Sequence, residues 1–144
     1  MLIGEYLNKV GKKNRIALPK KFRKILGEEV IVTRGYEDCA IVVNKKQWEK
    51  LLSVFDDKPF TTSPVRDTRR FLIGGANEVR LDKQGRFVLP VNLKEFVNIR
   101  NEVVFVGLVD WVEIWSKDAW EKRMEKIKPQ AAKIAEELGK INEE

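Results

Sequence analysis

Two arginines, each at the end of a short turn, are the side chains of this sequence best suited to chemistry. One ends the segment Asp82-Lys83-Gln84-Gly85-Arg86, in which the aspartate can open a tight turn and the glycine can take a positive φ. A related segment, Gly11-Lys12-Lys13-Asn14-Arg15, lies seventy-one positions earlier and retains the arginine. An arginine at the tip of a turn can make paired hydrogen bonds to guanine O6 and N7, whereas lysines bind phosphate without reading sequence. We call the earlier segment turn 1 and the later one turn 2.

The two turns differ in the residues that would hold the arginine. Gly11 stands at the position of Asp82, and Asn14 at the position of Gly85. A carboxylate at the first position could accept backbone N–H bonds and partly neutralise the arginine. We therefore expect turn 1 to be looser and more positive, and its three cations to bind phosphate more strongly and bases no more selectively. For the arginine of turn 2 the alternative is a structural ion pair, but the repetition of the motif favours a binding role.

The positive charge of the chain is concentrated around turn 1. The 144 residues include 28 Lys and Arg against 22 Asp and Glu, and the formal charge of +6 favours an acidic partner such as nucleic acid. From Asn8 to Lys24 there are eight basic residues and no acidic one, whereas residues 136–144 carry four glutamates and one lysine. We interpret the basic surface as belonging to turn 1.

The composition argues against an enzyme and against a metal or cofactor site. With no histidine and a single cysteine, Cys39, the chain lacks the usual zinc ligands and the common nucleophile–base pairs. The adjacent acidic pairs, Asp56-Asp57 and Glu136-Glu137, would not face each other on a strand or a helix. We expect no cofactor, no metal and no catalytic residue, and we interpret Cys39 as a small apolar residue in a strand.

The hydrophobic residues do not indicate a membrane protein. No apolar run approaches the roughly 20 residues of a membrane span, and the first residues do not resemble a secretory signal. We therefore expect no membrane partner and a cytoplasmic location.

Apolar periodicity places each turn between two strands. In the first half it predicts a hairpin around turn 1, a helix from Lys20 to Leu26, a second hairpin, and a helix capped by Asn44. Another helix is predicted to start with Ser63 at its N-cap and to run to the Gly74-Gly75 pair. Its arginines could contact phosphate, pair with acids of a neighbour, or form a solvated face; they are Arg66, Arg69 and Arg70.

The second half of the sequence repeats this order of elements. Strands at residues 77–81 and 86–89 flank turn 2 as a hairpin. Ser116 and Trp120 lie at the positions that correspond to Asn44 and Trp48, the helix cap and the tryptophan of the first half. Half of a split barrel cannot bury its apolar face alone and needs its twin. We predict an α+β fold, a pseudo-twofold double-split β-barrel of two intertwined repeats with short helices on the periphery. The chain is predicted to be a single domain, 1–144, with repeats at 1–75 and 76–128.

A C-terminal helical tail is predicted at residues 129–144. A further apolar stripe is formed by Ala131, Ile134, Ala135, Leu138 and Ile141, and Pro129 should break or kink the helix before it. The tail is either loosely held or docked on another subunit.

Short motifs along the chain resemble the MraZ family of bacterial transcriptional regulators. They are Ile3-Gly4-Glu5-Tyr6, the two turns with the strands that end at Pro19 and Pro90, Val32-Thr33-Arg34-Gly35 and Glu113-Ile114-Trp115-Ser116. The resemblance extends from Met1 to about Met124, and this family is related to the AbrB and MazE-type swapped-hairpin barrels. Turn 1 departs from the D-x-x-x-R motif of the family at its first position.

The resemblance implies a DNA-binding regulator, generally a repressor, at the promoter of the division and cell-wall gene cluster that contains its own gene. It implies a homo-oligomeric ring that reads tandem direct repeats in double-stranded DNA, in the cytoplasm and associated with the nucleoid. The DNA-binding residues that follow by position are Arg15, Arg86, Lys12, Lys13, Lys83 and Asp82.

A second function stays open at this point. An oligomeric scaffold or antitoxin-like module could bind protein through the same basic surface. Steep loss of promoter binding with salt, and loss in Arg15→Ala and Arg86→Ala variants that still assemble, would favour the regulator.

Overall fold

The computed structural model describes residues 1–141. Its strands are β1 (Ile3–Lys9), β2 (Arg15–Ala17), β3 (Glu29–Arg34), β4 (Ala40–Val43), β5 (Asn77–Arg80), β6 (Arg86–Val88), β7 (Glu102–Leu108) and β8 (Val112–Ser116). Its α-helices are α1 (Lys20–Leu26), α2 (Lys45–Leu52), α3 (Ser63–Leu72), α4 (Val91–Val97), α5 (Lys117–Ile127) and α6 (Ala131–Leu138). The fold is α+β, as the sequence predicts. Within the described range, none of the helices is long and apolar enough to cross a membrane.

The strands form a six-stranded antiparallel sheet and a separate two-stranded ribbon. The order in the sheet is β1-β7-β8-β4-β3-β5, and β2 pairs with β6 in the ribbon. The counterparts in the two halves are β1 and β5, β3 and β7, and β4 and β8. Exchanging each strand for its counterpart gives the same order read from the opposite edge. β1 and β5 are the edge strands of the sheet. Turn 1 leads from β1 to β2, and turn 2 leads from β5 to β6. Each edge of the sheet is therefore joined through one turn to one strand of the ribbon.

The hairpins predicted around the two turns are wrong. β1 pairs with β7 and β5 pairs with β3, so neither pairs with the strand that follows its turn. In each turn the first residue donates its backbone N–H to the carbonyl of the last, from Gly11 to Arg15 at 2.8 Å and from Asp82 to Arg86 at 3.0 Å. Alternation identifies a strand but not its partner. The other predicted hairpin of the first half, β3 with β4, is confirmed.

One apolar core lies between the ribbon and the sheet. Ile16 and Phe87 of the ribbon are buried in it, and so are Leu18 and Leu89, which follow the two strands. They share this core with residues of the sheet and of α1 and α4, among them Val32, Val42, Phe105, Ile114, Phe22 and Leu93. Full burial of such side chains contributes about 1.5–3 kcal/mol each, so the core fixes the ribbon and leaves its other face outward.

The capping signals read from the sequence hold α2 and α5 in place. The Asn44 side chain accepts the Gln47 N–H at 2.9 Å and the Gln47 side chain accepts the Asn44 N–H at 3.0 Å, which confirms the predicted capping box. Ser116 caps α5 by accepting the Ala119 N–H at 3.1 Å. Both helices therefore start with an N-cap side chain, and α2 alone of the two has the full capping box.

Two other helix boundaries differ in detail. The N-cap of α3 is Thr62 rather than Ser63, one residue earlier than predicted, and Pro64 still lies in the first turn, where it is tolerated. Pro129 lies in a short 3-10 segment, Lys128–Gln130, that separates α5 from α6, so the predicted break is confirmed. The last residues of the predicted tail, 142–144, lie outside the described residues.

Candidate nucleic-acid interface

The outward face of the ribbon carries both arginines of the two turns. In the register of the ribbon, Arg15 lies opposite Val88 and Arg86 lies opposite Ala17, while the pair between them points into the core. The two arginines are therefore diagonal neighbours on one face, a relation that places residues about 7–8 Å apart. The exchange of strands between the halves is what brings them together.

Asp82 organises turn 2. Its Oδ1 accepts the backbone N–H of Gln84 at 2.9 Å and that of Arg86 at 2.8 Å, and its Oδ2 accepts Arg86 Nε at 2.7 Å. Gly85 completes the turn with a φ of 75°, and its N–H donates to the Asp82 carbonyl at 2.9 Å. The aspartate thus sets both the backbone of the turn and the position of the arginine side chain.

The same bonds stabilise the charged form of Asp82. The backbone N–H of Arg86 is the main cause that lowers the pKa of this carboxyl below its ordinary value of 3.8, and the Arg86 guanidinium and the Gln84 N–H add to it. Arg86 therefore does form the ion pair considered as the alternative. The carboxylate engages Nε, Gln84 accepts Nη2 at 3.3 Å, and Nη1 has no hydrogen-bond partner among residues 1–141. An ion pair at Nε leaves the Nη groups able to donate to a base.

Turn 1 reaches the same closure without a carboxylate. Lys13 and Asn14 both have positive φ, 60° and 58°, where turn 2 uses Gly85 alone. For an L-residue the left-handed region costs about 1–2 kcal/mol, and asparagine tolerates it better than lysine. The cap position, Gly11, offers no side-chain acceptor to the N–H groups of the turn. This geometry gives a physical basis for the prediction that turn 1 is the looser of the two.

Arg15 differs from Arg86 in its surroundings. No carboxylate pairs with Arg15 in the part of the chain that the structure describes. Lys12 and Lys13 are exposed beside it, and turn 1 contains no acid. The exposed Lys83 is the further cation of turn 2, where the charge of Asp82 offsets one of the two positive side chains. Turn 1 is thus the more positive turn.

The arginines of α3 have partners within their own half of the chain. Arg66 Nη1 donates to two loop carbonyls at 2.7 and 3.0 Å, and the Arg69 guanidinium lies 4.8 Å from the centre of the Phe55 ring. Arg70 pairs with Asp67 at 2.9 Å. These contacts inside the first half of the chain were not among the alternatives left open for the three arginines, and they favour a structural role.

Among residues 1–141, the geometry indicates neither a metal site nor a reactive thiol. Across residues 1–141 no three or more His, Cys, Asp or Glu side chains come together in a group that could hold a metal ion. Cys39 is buried directly before β4, and this burial raises the pKa of its thiol. Its burial agrees with its interpretation as a small apolar residue, but it lies one residue before the strand rather than in it.

Comparison with known proteins adds a family to this geometry. A family model described as "MraZ protein, putative antitoxin-like" matches the chain twice, at residues 1–71 and 72–140. The chain is 38% identical to the transcriptional regulator MraZ of Caldicellulosiruptor saccharolyticus, over 98% of this chain and 99% of that protein. It is 37% identical to the protein of the same name from a Thermoanaerobacter species, over 99% of each chain, and 41% identical to that of Clostridium tetani, over 85% of this chain and 86% of the relative.

Proposed function

The chain belongs to the MraZ family, and on that premise we propose that it is a sequence-specific DNA-binding regulator that binds through the outward face of its ribbon. Its relatives are named transcriptional regulators, so the chain is a transcription regulator rather than an enzyme. We propose that it represses the promoter of the division and cell-wall gene cluster that contains its own gene.

The observation that carries this proposal is the pair of arginines on the ribbon. The major groove of B-DNA admits a two-stranded β-ribbon, and an arginine is the side chain that most often makes paired bonds to guanine there. Arg15 and Arg86 project from the same face, and the buried residues of the ribbon hold that face rigid against the core. Sites on such a rigid element can define the position of a base contact well.

We assign different tasks to the two arginines. Arg86 is oriented by Asp82 and by its own turn, so it is the better candidate for a base contact. Arg15 lacks such a partner and is joined by Lys12 and Lys13, so turn 1 is the better candidate for phosphate contacts. Lys83 adds a phosphate contact beside turn 2.

We further propose an assembly that multiplies this single interface. The sheet and the ribbon together would form a double-split barrel of two repeats, 1–75 and 76–128, and several subunits would close into a ring. Such a ring presents identical ribbons in sequence, and direct repeats about one helical turn apart, roughly 34 Å, would be bound together with avidity. The regulator would act in the cytoplasm, associated with the nucleoid.

Binding to DNA from upstream of its own gene tests the proposal. We expect affinity for this duplex above that for an unrelated duplex of equal length, and a steep loss of affinity between 50 and 200 mM salt, on the order of 10³-fold or more for several phosphate contacts. Arg15→Ala and Arg86→Ala should weaken binding while the variants keep their assembly state by light scattering. Lys46→Ala, which removes an exposed cation from α2, is the control and should bind normally.

The description of the matching family model also supports a second candidate, an antitoxin-like module that binds another protein. In that case the promoter duplex would bind no better than the unrelated one, and the Arg15→Ala and Arg86→Ala variants would lose a protein partner instead. Equal affinity for the two duplexes would therefore count against the regulator.

A further inference from the structure

Arg23 of α1 covers the tip of turn 2. A Cβ atom on Gly85 would lie 2.6 Å from Arg23 Cδ and 2.7 Å from its Nη1, so the arginine occupies the space that the glycine leaves free. Gly85 is buried although it lies in the turn, and its carbonyl accepts the Leu18 N–H at 2.9 Å. The first helix of one half therefore packs against the turn of the other half.

Lys94 holds the corresponding position near turn 1. It stands four residues after Pro90, as Arg23 stands four residues after Pro19, and so occupies the same position of α4. It lines a small cavity together with Asn14, the residue of turn 1 that corresponds to Gly85. The exchange of strands thus brings one cation from the first helix of each half to the turn of the other half.

Arg23 remains available to bind an anion. Among residues 1–141 it forms no ion pair with a carboxylate, whereas Arg86 beside it is paired with Asp82. Its side chain is half-buried, because both its Cδ and its Nη1 lie over Gly85, and the rest of it remains accessible. No acid lies on α1 to neutralise it.

The packing of α1 also changes how charge is divided between the two turns. α1 carries four cations and no acid, Lys20, Lys21, Arg23 and Lys24, whereas Glu95 in α4 offsets Lys94. The basic run that the sequence assigns to turn 1 is therefore divided, and its second part belongs to a helix that contacts turn 2. Asp82 reduces the positive charge of turn 2, and turn 2 is also the turn that packs against the more basic helix, α1.

We propose that Arg23 is a phosphate-binding residue of turn 2, so that this DNA contact is built from the turn of one half and the helix of the other. Its ligand is a backbone phosphate next to the base pair that Arg86 contacts. The proposal rests on the proposed DNA-binding function and adds to it a residue outside the two turn motifs. Because the contact is to phosphate, it contributes affinity and salt dependence but no sequence preference.

Salt titration of duplex binding tests the role of Arg23. The affinity of the wild type and of Arg23→Gln is measured by fluorescence anisotropy from 50 to 300 mM KCl, on the upstream duplex and on an unrelated duplex. Loss of one phosphate contact should reduce the slope of log affinity against log salt by about 0.9 for every subunit that engages the DNA. The reduction should be similar on both duplexes, since phosphate contacts weaken binding uniformly across sequences.

Two further variants separate binding from a structural role. Arg23→Lys keeps the charge and should keep the slope, and Arg123→Gln makes the same change at a half-buried arginine of α5 and should bind as the wild type does. A lower affinity of Arg23→Gln with an unchanged slope would show that Arg23 only supports turn 2, and would overturn the proposal. If Arg15→Ala and Arg86→Ala also bind the upstream duplex like the wild type, the proposed function fails as well; if only Arg23→Gln is without effect on the slope, the inference alone fails.

Discussion

Arg15 and Arg86 occupy equivalent positions of one ribbon, but only Arg86 is held by a neighbouring carboxylate. The difference comes from a single position, because Asp82 accepts two backbone N–H groups and the guanidinium, whereas Gly11 has no side chain to accept any of them. A fixed guanidinium loses less conformational entropy when it binds, and an unpaired one keeps its full charge. At the scale of the residue, we therefore propose that base selectivity and affinity for phosphate are divided between two side chains of the same type.

Restoring the missing carboxylate in Gly11→Asp should reduce the dependence of DNA affinity on salt. A Cβ at Gly11 would lie 3.5 Å from the Arg15 carbonyl, an ordinary contact, and the backbone there is extended, so an aspartate fits. The new carboxylate would pair with Arg15 as Asp82 pairs with Arg86 and shield its charge from phosphate, and the salt slope should fall. Gly11→Asn supplies the hydrogen-bond acceptor without the charge and should leave the slope unchanged. A slope that stays the same or steepens in Gly11→Asp would contradict this expectation.

The carboxyl of Asp82 should titrate below pH 3.8 in the folded protein. Its pKa is lowered on folding, so the stability that it contributes is fully present above 3.8 and is lost as the pH falls from 3.8 through the lower folded value. The difference in unfolding free energy between the wild type and Asp82→Asn should therefore shrink below pH 3.8. NMR titration of the side-chain carboxyl carbon measures the midpoint directly. A midpoint at or above 3.8 would show that the contacts of turn 2 are not formed in solution.

At the scale of elements, the structure depends on α1 and turn 2 lying against each other. Leu18, which leads into α1, donates its N–H to the Gly85 carbonyl, and Arg23 fills the space above the same glycine. Two contacts from neighbouring parts of one half thus converge on one residue of the other. A substitution at Gly85 should therefore affect the packing of α1 as well as the backbone of turn 2.

Gly85→Ala should destabilise the protein through both the backbone and this contact. A positive φ of 75° costs an L-residue about 1–2 kcal/mol, and the new methyl group would also crowd the arginine and the Leu18 carbonyl. In an Arg23→Ala background the crowding by the arginine is gone, so the loss should be smaller by about 0.5 kcal/mol or more. Urea unfolding of the four proteins of this cycle measures the difference. Strictly additive effects would mean that the arginine does not press on the turn.

What the sequence reveals about these elements depends on how local the responsible forces are. The capping box of Asn44 with Gln47 and the break at Pro129 were predictable because each is decided within a few residues. The partners of β1 and β5 were not, because alternation reports which side of a strand is buried and not which strand lies beside it. The internal repeat predicted two intertwined halves, and the resemblance to swapped-hairpin barrels agreed with it, but neither identified which strands pair.

The same limit applies to the candidate site. Arg15 and Arg86 were identifiable because the motif occurs twice. Arg23 was not, because it lies in a different element from the turn that it covers and reaches it only through the exchange of strands. The repeat did contain a usable signal, since Lys94 and Arg23 are cations at equivalent positions. Without the strand pairing, however, the sequence did not show that these positions lie next to the turns.

At the scale of the whole molecule, each half of the chain completes the other. Among the described residues 1–141, β1 pairs only with β7 and β2 only with β6, so both strands that flank turn 1 depend on the second half. The ribbon is made of one strand from each half, and its buried residues belong to a core that both halves build. The stability of the fold and the outward face of the ribbon therefore arise from the same exchange of strands.

A fragment of residues 1–75 should not fold as a monomer. It would leave β1 and β2 without partners and would expose the apolar residues of the shared core, including Ile16 and Phe22. We expect either no cooperative thermal transition by circular dichroism or a dimer in which two fragments exchange strands, as detected by light scattering. Mixing with the fragment of residues 76–144 should restore a one-to-one complex. A cooperatively folded monomer of residues 1–75 would contradict the dependence of the halves on each other.

The shared ribbon also explains how one of the two repeated turns can lack the aspartate and still position its arginine. The backbone at Arg15 is aligned by Val88, and the backbone at Arg86 is aligned by Ala17, so each arginine is kept in place by the sister copy as well as by its own turn. Turn 1 can therefore carry glycine in place of the aspartate without releasing its arginine from the ribbon. The pairing of β2 with β6 therefore positions both arginines independently of the turns. The two turns can differ in sequence and in their contacts while both arginines stay on the same face of the ribbon.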